Sequence, residues 1–164
     1  MVTVATRELV RELLEDVTDP EIPVLSITDL GIVRDVAVTT EGATVVTITP
    51  TYSGCPAMDV IKEDILAALE SEGIDDVAIE TVYAPAWTTD WMTESGRAKL
   101  EAYGIAPPGS AETSEAGNPA TADVRCPQCR SHDTKVVSEF GSTACKALMV
   151  CTHCGEPFDF FKGH

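Results

Sequence analysis

Six cysteines are the residues of this 164-residue chain whose type and spacing promise chemistry. Four form two CxxC pairs, Cys126-Pro-Gln-Cys129 and Cys151-Thr-His-Cys154, with 21 residues between them. A CxxC segment bends into a knuckle that aims both sulfurs at one point. Two knuckles supply the tetrahedral sulfur cage that zinc prefers, in the spacing of a zinc ribbon. Four thiolates saturate the ion, so the predicted site is a structural zinc with no open position; a single iron would fit the same ligands. The 41-residue tail 124–164 has few large apolar side chains and needs such a metal to fold.

The remaining cysteines pose separate questions. Cys55 stands in Thr51-Tyr-Ser-Gly-Cys55-Pro56-Ala-Met58, between a predicted strand and a predicted helix. Pro56 suits the first helical position, which makes Cys55 the expected N-cap. Outward backbone N–H groups and the positive end of the helix dipole there favour a thiolate. Three readings are open: a cap with no role, a nucleophile, or a transient ligand for iron. No His is near in sequence to serve a nucleophile as base. Asp19-Pro-Glu21-Ile-Pro23 and Asp29-Leu-Gly31 read first as a stiff loop. Asp19, Glu21 and Asp29 flank a Cys55 site if the sheet brings them together. Cys145, in Gly-Ser-Thr-Ala-Cys145-Lys146, is either a half-buried packing thiol or a reactive thiol or extra ligand aided by Lys146. Trp87 and Trp91, in a loop begun by Pro85, are a cap over the core or a partner-docking patch.

The elements that position these groups follow from periodicity. Leu9, Val10, Leu13, Leu14 and Val17 recur at helical spacing, as do Met58, Ile61, Ile65, Leu66 and Leu69 before Gly73. Ile32–Val38 and Val45–Thr49 are β-branched runs with Glu41-Gly42 as a hairpin turn between them. Val77, Ile79 and Val82 suggest a third strand, and a last helix runs from near Thr93 to Gly104 with Leu100 and Tyr103 inward. The order α-β-β-α-β(-α) predicts a small α+β domain with helices on one face of a mixed sheet. Residues 106–123 lack any aromatic or large aliphatic side chain and read as a linker. The expected organisation is therefore a domain at 1–105, a linker at 106–123 and a β zinc ribbon at 124–164, with strands near 135–140, 146–150 and 158–161.

Charge excludes some functions. Residues 1–105 carry 6 Lys/Arg against 20 Asp/Glu, and the chain totals −16. So acidic a surface repels phosphate backbones, which argues against nucleic-acid binding. No apolar run approaches a membrane span, and no export signal is visible. Free CxxC pairs then point to a reducing cytoplasm. The chain has no GxGxxG, GxxxxGK[ST], GxSxG or HExxH, so no standard cofactor or hydrolytic apparatus is recognisable in it.

Two stretches carry a resemblance. DPEIPVLSITDLGIV followed by TPTYSGCPAM resembles the metal–sulfur cluster assembly domain of the SufT type. PAWTTDWMTESGRAKL, YGIAPP, VRCPQC, SEFGSTACKAL, CTHC and EPFDFFK extend the likeness over nearly the whole chain. Together they resemble the D-subunit family of the bacterial phenylacetyl-CoA 1,2-epoxidase system. That resemblance implies a non-catalytic accessory factor of phenylacetate catabolism, assisting iron or iron–sulfur centre assembly. Its partners would be the oxygenase and reductase subunits, with a homodimer as a further expectation. The family's reactive cysteine falls on Cys55 and its conspicuous acids on Asp19, Glu21 and Asp29. Its ribbon ligands fall on Cys126, Cys129, Cys151 and Cys154. The alternative is a structural component of the oxygenase complex that handles no metal. One departure is visible: the family's terminal Phe-Lys-Cys is Phe161-Lys162-Gly163 here.

Overall fold

The computed structural model describes residues 4–108, 119–120 and 122–162. The chain divides into two compact units, one ending at Trp87 and one beginning at Thr88.

The first unit is an α+β fold. Helix α1 (Arg7–Leu14) starts at Thr6, whose Oγ1 accepts the Leu9 N–H at 3.1 Å, and it buries Val10 and Leu14. Strands β1 (Val33–Val38) and β2 (Thr44–Ile48) pair antiparallel through the expected hairpin, where Gly42 takes φ +92°. Helix α2 (Ala57–Glu70) buries Met58, Ile61, Ile65 and Leu69. It closes as predicted at Gly73 (φ +80°), with Gly73 N–H bonded to Glu70 O and Ile74 N–H to Leu69 O. β3 (Val77–Thr81) then joins β2 in parallel, giving a mixed sheet in the order β1-β2-β3. Thr44, Val46 and Ile48 are buried while Val45 and Thr47 are only half-buried, the alternation of a sheet with one covered face. α1 packs on β1 and α2, and α2 packs on β3.

The described residues of the second unit form a 3₁₀ turn (Thr89–Trp91), helix α3 (Glu94–Tyr103) and four strands: β4 (Ile105–Ala106), β5 (Thr134–Ser138), β6 (Lys146–Cys151) and β7 (Pro157–Phe161). α3 has the expected ends, with Thr93 Oγ1 accepting Gly96 N–H and Gly104 at φ +90°. The sheet order is β4-β7-β6-β5, and Ala106, Val124, Ala147, Met149, Phe158 and Phe160 form its core with Cys126 and Cys151.

Two expectations are corrected here. The boundary at 105 falls inside the second unit, because Ile105-Ala106 pairs with Asp159-Phe160 as a parallel edge strand and Ala106 is buried in the ribbon core. Arg97 reinforces this by donating to Thr89 O and Pro108 O. Two apolar residues before a Pro-rich run are too short a signal to announce a strand. Of the predicted linker, residues 109–118 and 121 lie outside the described residues, as do Gly163 and His164. Tyr103, predicted inward, is 59% exposed, while Leu100 is fully buried. No helix among the described residues is long and apolar enough to cross a membrane.

Candidate metal centre and the Cys55 loop

Each CxxC segment forms the same knuckle. Arg130 N–H donates to Cys126 O and Gly155 N–H to Cys151 O, both at 2.9 Å. Cys126 N–H and Cys151 N–H in turn reach Ser131 O and Glu156 O. The residue after each pair must turn left-handed: Gly155 sits at φ +79° and Arg130 at φ +65°, the one positive-φ non-glycine among the described residues. The knuckles bring Cys126 Sγ to 3.8 Å from Cys154 Sγ and Cys129 Sγ to 3.6 Å from Cys151 Sγ. All four sulfurs lie within 4.8 Å of one another. A tetrahedron with Zn–S bonds of about 2.3 Å has edges of roughly 3.8 Å, so this donor set fits zinc. His153, inside the second knuckle, is not part of the group.

Four sulfurs this close cannot all ionise unaided. The Cys154 N–H holds Cys151 down to about 7, helped by the His153 N–H and by the neighbouring thiols. The Ser131 N–H acts to lower Cys129, but desolvation and the thiols of Cys151, Cys154 and Cys126 outweigh it and push that group up to about 12. For Cys154 the Glu156 N–H also lowers, yet desolvation and the thiols of Cys151 and Cys126 leave it raised. A bound dication removes the conflict by letting every sulfur be a thiolate.

Cys55 lies in a different setting. Strand β2 ends at Ile48, and the chain turns through Gly54 at φ +76° before α2. Pro56, not Cys55, is the helix cap, so the predicted position moves by one residue. Cys55 N–H donates to Tyr52 O and Cys55 O accepts from Met58 N–H, so its backbone closes the turn. Its side chain is half-buried and makes no hydrogen bond, alone among the six cysteines.

Three loops emerge at the same end of the first sheet. Val33, at the start of β1, pairs with Ile48 at the end of β2, which pairs with Thr81 at the end of β3. The loops before Val33, after Ile48 and after Thr81 therefore meet, and they hold Asp29, Cys55 and Trp87. Thr49 N–H donates to Ile32 O, and Trp87 Nε1 donates to Leu30 O at 2.8 Å. This corrects the docking reading of Trp87: the side chain is 5% exposed and ties two loops together. Trp91 is half-buried in the second unit.

The acids build the first of these loops. Asp19 Oδ1 accepts from Glu21 N–H and Ile22 N–H, and Asp29 Oδ2 accepts from Ser26 N–H while Ser26 Oγ accepts from Asp29 N–H. Both carboxylates are buried, whereas Glu21 is half-buried. A Thr18–Ser26 bridge draws the two turns together. Cys145 is buried rather than half-buried, with its Sγ 3.0 Å from Thr143 Oγ1, and it stands outside the four-sulfur group. Burial at 5% exposure removes the reactive-thiol reading.

Comparison with known proteins adds the following. Residues 7–81 match a family described as iron-sulfur cluster assembly protein, and residues 110–162 match the PaaD zinc beta ribbon domain. An Escherichia coli (strain K12) protein, provisionally named as the D component of 1,2-phenylacetyl-CoA epoxidase, is 51% identical, over 92% of this chain and 88% of that protein. An Fe-S protein maturation auxiliary factor of Porphyromonas gingivalis is 40% identical over 58% of this chain and 90% of its own length. A crystal structure of a DUF59 domain from Bacillus anthracis superposes with a TM-score of 0.55 at 28% identity, covering 57% of this chain and 90% of that one.

Proposed function

The chain belongs to the D-subunit family of phenylacetyl-CoA epoxidases, and from that premise we propose that it is a cytoplasmic accessory factor that helps load iron or iron–sulfur centres into the epoxidase's oxygenase or reductase subunits. The observation that carries this reading is the state of Cys55. Five thiols are held by a cage or by a hydroxyl, and the sixth is half-buried with no hydrogen bond in the loop between β2 and α2. Relatives of the first unit are named Fe-S protein maturation auxiliary factors, which supports the same role here.

In this reading the two units divide the work. The four-cysteine cage holds a resident zinc that organises the ribbon; being saturated, it offers no position to a second ligand. Iron is cargo. Cys55 binds it through Sγ, giving up the thiol proton, and passes it to a client's donor groups by ligand exchange without change of oxidation state. Asp19 and Asp29 act by fixing the loop beside it, since their carboxylates already accept backbone N–H groups. Glu21 stands half-buried in the same loop, its backbone N–H held by Asp19 Oδ1.

The test is to produce the oxygenase and reductase subunits together with either the native chain or Cys55→Ala, then to measure iron in the purified subunits. Iron content is expected to fall with the variant while the chain itself stays folded and keeps its zinc. Unchanged iron in both clients would overturn the proposal.

A further inference from the structure

A sheet edge presents unpaired backbone groups that another chain can extend, and proteins usually blunt such edges. Here β1 carries a bulge between Val33 and Asp35, β5 carries one between Val136 and Ser138 beside an exposed Lys135, and β4 is two residues long. β3 is different. Val77-Ala-Ile-Glu-Thr81 keeps regular register with β2 throughout and contains no bulge, Pro or Lys. The bonds from Thr44 N–H to Asp76 O and from Val82 N–H to Ile48 O fix its alternation. Even-numbered residues face β2, so the N–H and C=O groups of Val77, Ile79 and Thr81 point away from it. Among the described residues these groups have no partner. Val77 and Ile79 are half-buried at the rim of the core, and Tyr83, 68% exposed, prolongs the edge.

Charge identifies the occupant. The first unit, residues 1–87, carries 4 Lys/Arg against 17 Asp/Glu, so a second copy meets like charge. The chain's own segment 106–123 has Glu112, Glu115 and Asp123 and no base. Glu80 is exposed on β3, and Glu41, Asp75 and Asp76 help to line a groove of about 390 Å³ at the strand's start. We propose that the β3 edge receives an extended segment of another protein by strand addition, its apolar residues alternating with Lys or Arg that face Glu80 and this groove. One end of that segment then lies where β3 ends, beside the loop that carries Cys55. The docking surface goes beyond the role assigned to Cys55 and stands whether or not that thiol carries iron.

The probe is a capped peptide, Lys-Val-Lys-Val-Thr-Val-Lys, with a control in which Glu replaces Lys. Amide hydrogen exchange is followed by NMR on the full chain. The Lys peptide at millimolar concentration is expected to slow exchange at Val77, Ile79 and Thr81 at least tenfold, and the Glu peptide to leave it unchanged. Thr81→Pro removes an outward N–H that β2 does not use, and should weaken binding at least tenfold. Glu80→Lys changes only an exposed side chain and should reverse the preference between the peptides; it carries the test if the proline variant fails to fold. The proposal is overturned if neither peptide protects these amides, or if protection falls on β1 or β5 instead. It is also overturned if protection grows with protein concentration alone, which would make a second copy the occupant.

Discussion

The cage and the Cys55 loop use the same side chain in opposite ways. In the cage every sulfur faces three others, and paired backbone bonds fix both knuckles. In the loop the backbone is equally fixed, by Tyr52 O and by the turn into α2, but the sulfur is left without a bond. At one site the thiols come together as a cage; at the other the turn closes through its backbone and leaves the thiol out of it. Substitutions at the two sites should therefore separate stability from function in opposite directions.

The largest effect is expected at the cage. Structural zinc contributes on the order of 10 kcal/mol of folding free energy in ribbon-sized modules. Cys126→Ser, or a strong chelator, should abolish zinc content and the amide protection of β5–β7, with the amides of β1–β3 as the internal control. Acid should act in the same direction. A metal ion must displace the proton from each sulfur it binds, and Cys151 holds its proton only below about 7. The plot of log zinc affinity against pH should steepen by one proton as pH falls through that value. A slope unchanged across it would show that the Cys154 and His153 amides do not set the Cys151 thiolate.

Next in size is Trp87, which supports the loop end. Trp87→Ala removes a buried indole and should cost about 3–5 kcal/mol in denaturant unfolding. Trp87→Phe keeps most of the ring and orphans Leu30 O, for about 1–3 kcal/mol. Equal losses in the two variants would mean that the hydrogen bond, not the packing, carries the effect.

Trp87 also shows where the sequence could be read and where it could not. The cage was legible because CxxC spacing encodes geometry locally: four residues suffice to build a knuckle. The helices and strands of the first unit were legible from periodicity, and Gly73 and Gly104 from the conformations that helix ends require. The Trp87–Leu30 tie spans 57 residues, and only the register of β1, β2 and β3 brings those loops together. A tryptophan in a Pro-bounded loop looks the same in sequence whether it caps a core or meets a partner. β4 was hidden for a related reason, since its partner β7 lies more than fifty residues away and its two residues carry no period.

The knuckles allow a smaller test of the cage's symmetry. Arg130 occupies the left-handed conformation that Gly155 occupies in its twin, at a cost of roughly 1–2 kcal/mol for a residue with a Cβ. Arg130→Gly should therefore raise stability by on the order of 1 kcal/mol, and Gly155→Ala should lower it by a similar amount. A Cβ on Gly155 meets nothing within 4 Å, so that loss would report backbone conformation rather than a clash. If both changes were neutral, the zinc would be dictating the knuckle geometry regardless of residue type.

Smallest in stability, and sharpest for the comparison, is Cys55→Ala. The thiol is half-buried and bonds to nothing, so unfolding free energy should move by no more than about 0.5 kcal/mol. The turn should persist because it rests on Gly54, Tyr52 O and Pro56 rather than on the sulfur. A loss of several kcal/mol would place Cys55 among the structural cysteines and erase the distinction between the two sites. A silent change in stability, together with lost iron in the clients, would locate function at the one sulfur that the fold does not need.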